Sequence, residues 1–437
     1  MVDILGGGPA GLAAGWQARR RGLPFRIFEG SGEVGGNCRT LRLGKFLFDT
    51  GAHRLHDRES DVTHELKNIM GDELARVTAP SQIYSEGKFI DFPLHLGDLI
   101  SKLDKRTLGN VLKENVRRRV SRKTPAENFE QLAINAYGPT LASRFLLNYS
   151  EKLWGKPCRE LSTMIAGNRL KGLDVRAFLR ATLCGNRIDS AHLDGSFYYP
   201  KYGIGSIFTK IASLLGAENI HYHSRITGIN HDGDTVHSFI INNEVEIPTR
   251  RLVSTLPLTL MLSILDPAPD STVLNICSEL TYRHMVLAVF GVARERVSDN
   301  ASIYFPDRSI PFTRLYESKN RSAHMAPRGE TSIVLELPCQ LTDAVWTMDD
   351  AALQAMLMEH LGETIGLDER EITAFGSFRI PYAYPVLEVG FEERARMLVN
   401  YMKHFGNLHI TGRSAVFQYV HIHDLFRTGR VVIDEIA

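Results

Sequence analysis

The spacing of apolar residues changes several times along the chain, and each change predicts an element. Val2-Asp3-Ile4-Leu5 opens as a short buried strand and stops at Gly6. Apolar positions then recur at Leu12, Ala13, Trp16 and Ala18, one face of a helix that Gly22 would end. Pro24 to Phe28 returns to strand, and Phe46-Leu47-Phe48 gives another. Residues 60–71 read as an amphipathic helix closed by Gly71, and 206–215 as a further helix. Ile220 to His223, Arg225 to Ile229, Leu252 to Ser254, Val286 to Val292 and Ser332 to Leu337 read as strands. A helix over 391–403, a buried strand from Leu408 toward Gly412, and a last helix beginning near Asp424 complete the pattern. Strands alternating with helices predict an α/β fold. No apolar run approaches the ~18–20 residues of a membrane-spanning helix. Neither an internal repeat nor a low-complexity linker interrupts the chain.

The first strand-to-helix junction carries the most chemistry. Gly6-x-Gly8-Pro9-Ala10-Gly11 follows the strand directly and opens the helix, which is the context a dinucleotide fingerprint requires. Gly6 permits the tight turn, Gly8 lets a pyrophosphate approach the backbone, and Gly11 lets helix pack on strand. Pro9 and Ala10 begin the helix, whose free N–H groups and dipole favour an anion. The second strand ends at Glu29, eighteen positions after Gly11, where a carboxylate meets ribose hydroxyls. A second glycine-rich stretch follows at once, with Gly35, Gly36, Asn37 and Arg39. It lets backbone lie along an extended dinucleotide, which points to FAD rather than NAD.

Bulk properties narrow the partners. Of 437 residues, 51 are Lys or Arg and 50 Asp or Glu, so bulk charge gives no reason to expect nucleic acid. The five cysteines include no Cys-x-x-Cys pair, which argues against a disulfide framework and a structural zinc site. A reducing, cytoplasmic setting is expected, and the fingerprint at Gly6 leaves no room for a signal peptide. No metal is expected: His53 and His56 follow Gly51 rather than lying on a helix, and His421-x-His423 reads as a flavin-side loop. Gly-x-Ser-x-Gly and His-Glu-x-x-His are both missing. Residues 98–123 are strongly basic and read as a solvated helix face, with a membrane surface or an anionic substrate as alternatives.

Taken together, the fingerprint, the acid and the Gly-Gly-x-x-Arg run resemble the flavoprotein superfamily of amine oxidases, protoporphyrinogen oxidase and UDP-galactopyranose mutase. The resemblance implies a Rossmann-like FAD-binding domain of the GR2 type with an inserted α+β substrate domain. The FAD-binding part is expected over 1–56, 190–260 and 375–437, the substrate part over 57–189 and 261–374. Gly51, Ala52 and His53 resemble the mutase segment beside the isoalloxazine, and Ile226 the backbone stretch against the adenine. Tyr198 to Gly205 resembles the protoporphyrinogen-oxidase return to the FAD domain. Gly412 and Arg413 close that domain in such flavoproteins, with His423 and Asp424 at the helix aimed at the flavin.

For the substrate, Tyr149, Lys152 and Trp154 resemble the mutase nucleotide pocket. Arg314, Arg413 and Tyr419 resemble the residues that hold its diphosphate, and Tyr384 stands on the same side. His53, Arg314, Arg413 and Tyr419 form the candidate catalytic set. Where the mutases carry an aspartate two residues after the tyrosine, this chain has His421. The expected activity is FAD-dependent oxidation of a nucleotide-diphosphate sugar or phosphorylated glycan intermediate, with hydride passing to flavin N5. The alternatives are a mutase-like sugar isomerase and an amine or protoporphyrinogen-type oxidase. The expected partner is a small molecule, peripheral membrane contact stays open, and the sequence does not fix the oligomeric state.

Overall fold

A computed structural model describes residues 1–57, 59–94, 96–120, 125–166 and 196–437. The end of the basic stretch at 121–123, Cys184 and the expected boundary at 189–190 lie outside the described residues.

Five parallel strands form the first sheet, in the order Leu408–Ile410, Leu252–Ser254, Val2–Leu5, Phe25–Phe28, Ile220–His221. All four residues of Val2–Leu5 are buried, as a strand covered on both faces requires. One face is covered by helices Pro9–Arg20, Gly205–Leu215 and Ile422–Ile436, through Leu12, Ala13, Ile27, Phe208, Phe426 and Ile433. The last helix approaches closely because residue 429 is glycine: a Cβ there would lie 3.1 Å from the backbone of Ala13 and Ala14. The other face carries a four-stranded sheet, Val245–Pro248, Val236–Ile241, Ile226–His231, Leu265–Asp266, with helices Leu258–Ser263 and Phe391–Lys403. The strand expected over 220–223 ends at His221, because His223 turns into positive φ, +54°.

The third sheet has seven strands, in the order Ile372–Pro385, Tyr282–Val292, Thr331–Cys339, Arg314–Glu317, Ser302–Tyr304, Ser81–Ser85, Lys88–Phe92. Two features of this sheet bear on the expected division. The boundary at 375 cuts the strand Ile372–Pro385, which pairs with Tyr282–Val292 along most of its length and belongs with this sheet. The part before 189 supplies two strands to this sheet, through parallel pairing of Ser302–Tyr304 with Ser81–Ile83. Helices Phe129–Tyr137 and Asn148–Trp154 pack beside those strands. Asp350–Ile365 packs through Leu353, Leu357 and Leu361 on another part of the sheet. We propose that cofactor binding follows the first sheet and substrate binding the third. No helix among the described residues is long and apolar enough to cross a membrane.

Candidate active site

The glycines of the fingerprint separate into two kinds. Gly6 has φ +102°, and a Cβ there would lie 2.3 Å from Thr255 Oγ1. A Cβ on Gly11 would lie 1.9 Å from the Gly6 carbonyl oxygen, so the turn and the helix close on each other only with glycine. Gly8 is different. Outside its chain neighbours, the nearest heavy atom to its ideal Cβ is Gly36 Cα at 3.8 Å, an ordinary contact, so a side chain there would occupy the gap between the two glycine-rich runs. Helix Pro9–Arg20 begins at that gap with no side-chain cap and no acid in its first turn, leaving its positive end for an anion.

Glu29 stands beside the gap in a fixed orientation. One carboxylate oxygen accepts from Gly7 N (2.8 Å), the other from Ser31 N and Ser31 Oγ (both 2.8 Å). The loop after Glu29 rests on the segment before Ile226: Ser224 N donates to Glu29 O and His223 N to Ser31 O. Ile226 itself is buried. At the other end, Gly412, with φ +110°, comes within 3.1 Å of Ala10 Cβ when a Cβ is placed on it, so strand Leu408–Ile410 delivers Arg413 next to the helix start.

Asn37 is a hub. Its carbonyl accepts from Thr50 Oγ1 (2.8 Å) and from His53 Nε2 (2.8 Å), and its side-chain amide donates to Tyr382 O (3.0 Å). Tyr382 has φ +51°, so the hub reaches a strained point in the third sheet. Gly51, with φ +156°, lies against the His53 ring. Burial, with Arg413 reinforcing it, pushes the His53 imidazole down to about 3, so the ring is neutral. Cys38 Sγ lies 3.9 Å from His53 Nδ1, and burial pushes that thiol up to about 12. Arg39 donates to Gly36 O at 3.1 Å.

The substrate side gathers five of the residues singled out from sequence: Trp154, Arg314, Tyr384, Arg413 and Tyr419, with Tyr149 against the neighbouring Tyr304. Arg413 lies against the rings of both Tyr384 and Tyr419, 4.6 and 4.8 Å from their centroids, which are themselves 6.3 Å apart. Trp154 meets both rings edge-on. Arg413 Nε and Nη2 are buried and have no hydrogen-bond partner. Arg314 is already engaged: its fork meets Glu336 at 2.9 and 2.7 Å. Burial opposes the Arg314 charge, but Glu336 and the surrounding phenols outweigh it and hold the guanidinium well above its usual range. Tyr304 stands between Arg314 and Tyr149, 6.0 Å from the first and 5.7 Å from the second.

Three expected contacts are placed elsewhere. The Lys152 ammonium donates to Phe305 O, Asp307 O and Phe312 O, at 2.7, 2.7 and 2.9 Å, and pins its helix to that loop. Burial pushes Lys152 down to about 7. His423 is buried with Nε2 3.5 Å from Thr63 Oγ1. Asp424 is the third residue of the last helix and accepts from His421 N at 2.8 Å. His421 returns the bond, its side chain accepting from the Asp424 backbone, so the residue that departs from the mutase pattern is a helix cap.

Two residues of the site were missed. Glu336 joins Arg314 to Ala52 N (3.1 Å) and so links the substrate side to the flavin-side segment. Its signal was a single acid inside the apolar run Ile333-Val334-Leu335-Glu336-Leu337, where it is 1% exposed. Asp49, fully buried, accepts from Tyr199 OH (2.5 Å), Thr40 Oγ1 (2.7 Å) and Ile204 N (3.0 Å), and its carbonyl accepts from Tyr316 OH. It fixes the strand that leads into Gly51.

A parallel sheet with this turn, this acid and a backbone-lined gap defines a dinucleotide-binding site. The chain belongs to the flavin-containing amine oxidoreductase family, whose model matches residues 9–436. Among curated proteins, mitochondrial protoporphyrinogen oxidase of Nicotiana tabacum is 36% identical over 68 residues, 16% of this chain and 14% of that protein. A 4,4'-diapophytoene desaturase of a Methylomonas species is 44% identical over 50 residues, 11% of this chain and 10% of that protein. Among solved structures, a reduced UDP-galactopyranose mutase aligns over all of this chain and 95% of its own, with TM-score 0.87 and 20% identity. Cyclohexylamine oxidase from Brevibacterium oxydans aligns over all of this chain and 99% of its own, with TM-score 0.69 and 12% identity. The protein is therefore a flavoenzyme, and its cofactor is FAD.

The residues present fit that cofactor. A side chain at residue 8 would occupy the gap toward Gly36 that glycine leaves open for a pyrophosphate, the uncapped helix begins there, and both Glu29 carboxylate oxygens are held in place beside it.

Proposed function

We propose that this enzyme oxidises a nucleotide-diphosphate sugar or a phosphorylated glycan intermediate in a reducing, cytoplasmic setting. One observation carries the reading. Arg413, half-buried beside the Tyr384 and Tyr419 rings, holds two buried nitrogens, Nε and Nη2, without a hydrogen-bond partner, and an anion would satisfy both. A diphosphate supplies that anion, and the Tyr149–Trp154 helix supplies flat surfaces for a base or sugar ring.

Bound FAD supplies a hydride acceptor, and the protein supplies orientation, charge and exclusion of water. Gly8, Gly36 and Glu29 hold the dinucleotide, and Arg413 anchors the substrate phosphates. Tyr384 and Tyr419 keep the Arg413 plane fixed. Glu336 holds Arg314 and Ala52 together, so the substrate and flavin walls stay in register. The neutral His53 keeps added charge away from the reacting centre.

A second reading is a mutase-like rearrangement without net redox. It is favoured by the engagement of the described ionisable groups near the cleft: Glu336 is bonded to Arg314 and Ala52, and His53 to Asn37. Glu336 is held by Arg314, and the His53 imidazole, pushed down to about 3, is a weak base for a sugar hydroxyl. Anaerobic mixing of oxidised enzyme with nucleotide-diphosphate sugars decides. Bleaching of the flavin band supports oxidation. Turnover only after prior reduction of the flavin supports the mutase reading, and neither response with any such sugar rejects both.

A further inference from the structure

The helix Lys105–Val120 breaks the usual arrangement of a surface helix. Its inner side is satisfied, since Val111 is 8% exposed and packs in the cluster with Leu99, Leu103 and Phe129, and Leu108 lies against it. Leu112 and Val116 are nonetheless 62% and 63% exposed. They are four residues apart and share one face. Ile100, on the helix Leu96–Lys102 just before, is 56% exposed. Single exposed apolar residues are ordinary; here two stand side by side on one helix, with Ile100 exposed on the helix before it.

The charges around the pair identify that partner. Lys105, Arg106, Lys113 and Arg117 are exposed; helical spacing sets Lys105 in line with Leu112 and Val116 and the other three along one edge of that line. The nearby acids are committed elsewhere. Asp98 pairs with Lys102 and accepts from Asp91 N, Asp104 caps Thr107, and Glu114 accepts from Thr140. Among the described residues, Lys105, Arg106 and Lys113 have no carboxylate within ion-pair distance. An apolar stripe bordered by uncompensated cations is complementary to a surface that is anionic above and apolar beneath.

We propose that this helix docks the enzyme on an anionic lipid bilayer, with Leu112 and Val116 in the headgroup–acyl boundary and Lys105, Arg106 and Lys113 on lipid phosphates. Sedimentation of the holoenzyme with vesicles tests it, using phosphatidylcholine alone and phosphatidylcholine mixed with phosphatidylserine. The expected result is binding to the mixed vesicles, weakened by added salt. Each cation changed to glutamine should lower the partition coefficient about five-fold. The pair Leu112→Ser and Val116→Ser should lower it roughly ten-fold. Flavin content and melting temperature should hold in every variant, because the altered side chains are exposed. Equal binding to both vesicle types overturns the proposal. Loss on removing charge with no change in the serine variant also overturns it, because the apolar pair then has no part in docking.

Discussion

Replacing Gly8 by valine separates space kept for a cofactor from space needed for packing. Outside its chain neighbours, the ideal Cβ of residue 8 meets only Gly36, at 3.8 Å in ordinary contact, so the position carries a Cβ without a clash in the fold. The valine side chain fills the gap facing Gly36 and excludes the pyrophosphate. A backbone N–H bond to a charged oxygen is worth ~1.5–3 kcal/mol, so losing two costs ~3–6 kcal/mol, or about two to four orders of magnitude in FAD affinity. The apoprotein should melt within about 3 °C of the unaltered apoprotein, a shift that corresponds to no more than ~1 kcal/mol. Gly11→Val is the contrast. Its Cβ would lie 1.9 Å from the Gly6 carbonyl oxygen, so that variant should fail to accumulate as folded protein. The assay is flavin content by absorbance after purification, then titration of apoprotein with FAD by fluorescence quenching. A Gly8→Val enzyme with full flavin and unchanged affinity would refute the reasoning.

Glu29→Ala should weaken FAD by about 1.5–3 kcal/mol without removing it, measured by the same titration, because ribose bonds to a charged group are lost. Glu336→Ala should lower unfolding free energy by ~3–5 kcal/mol in denaturant melts, because Arg314 is left buried beside no carboxylate; an unchanged midpoint would remove Glu336 from its linking role. The His53 imidazole sits at about 3 in the folded protein against its usual 6.5. The unfolded chain therefore takes the proton first, so this contribution is complete above pH 6.5 and is lost as pH falls toward 3, at up to ~1.4 kcal/mol per pH unit. His53→Asn should flatten the acid limb of the melting-temperature profile in that window, and identical limbs would count against a buried neutral ring.

The parts of the site that were legible in the sequence are those encoded locally. Gly6, Gly8, Gly11 and the acid at 29 state a backbone conformation and a distance within thirty residues, and the five-stranded sheet follows from that unit. Arg413 and Tyr419 were legible through resemblance, since their spacing sets them on one strand end and the loop after it. Glu336 was not, because its meaning depends on its register opposite Arg314 in the pairing of Arg314–Glu317 with Thr331–Cys339. The hydrogen bonds of Lys152 were not legible for a related reason. Its partners are three backbone carbonyls of a distant loop, and carbonyls leave no mark in the residue types. Pairing of Ser302–Tyr304 with Ser81–Ile83 joins segments more than two hundred positions apart, which local periodicity does not report.

The most direct test of the account is titration of UDP into the holoenzyme and into Arg413→Lys, read by flavin fluorescence. A lysine keeps the charge but not the planar fork that faces the enclosure of Tyr384 and Tyr419. The account predicts a saturable response in the unaltered enzyme and at least a ~10-fold weaker one in the variant, with flavin content equal in both. No response from any nucleoside diphosphate at millimolar concentration would contradict it, and so would equal affinity in the two proteins.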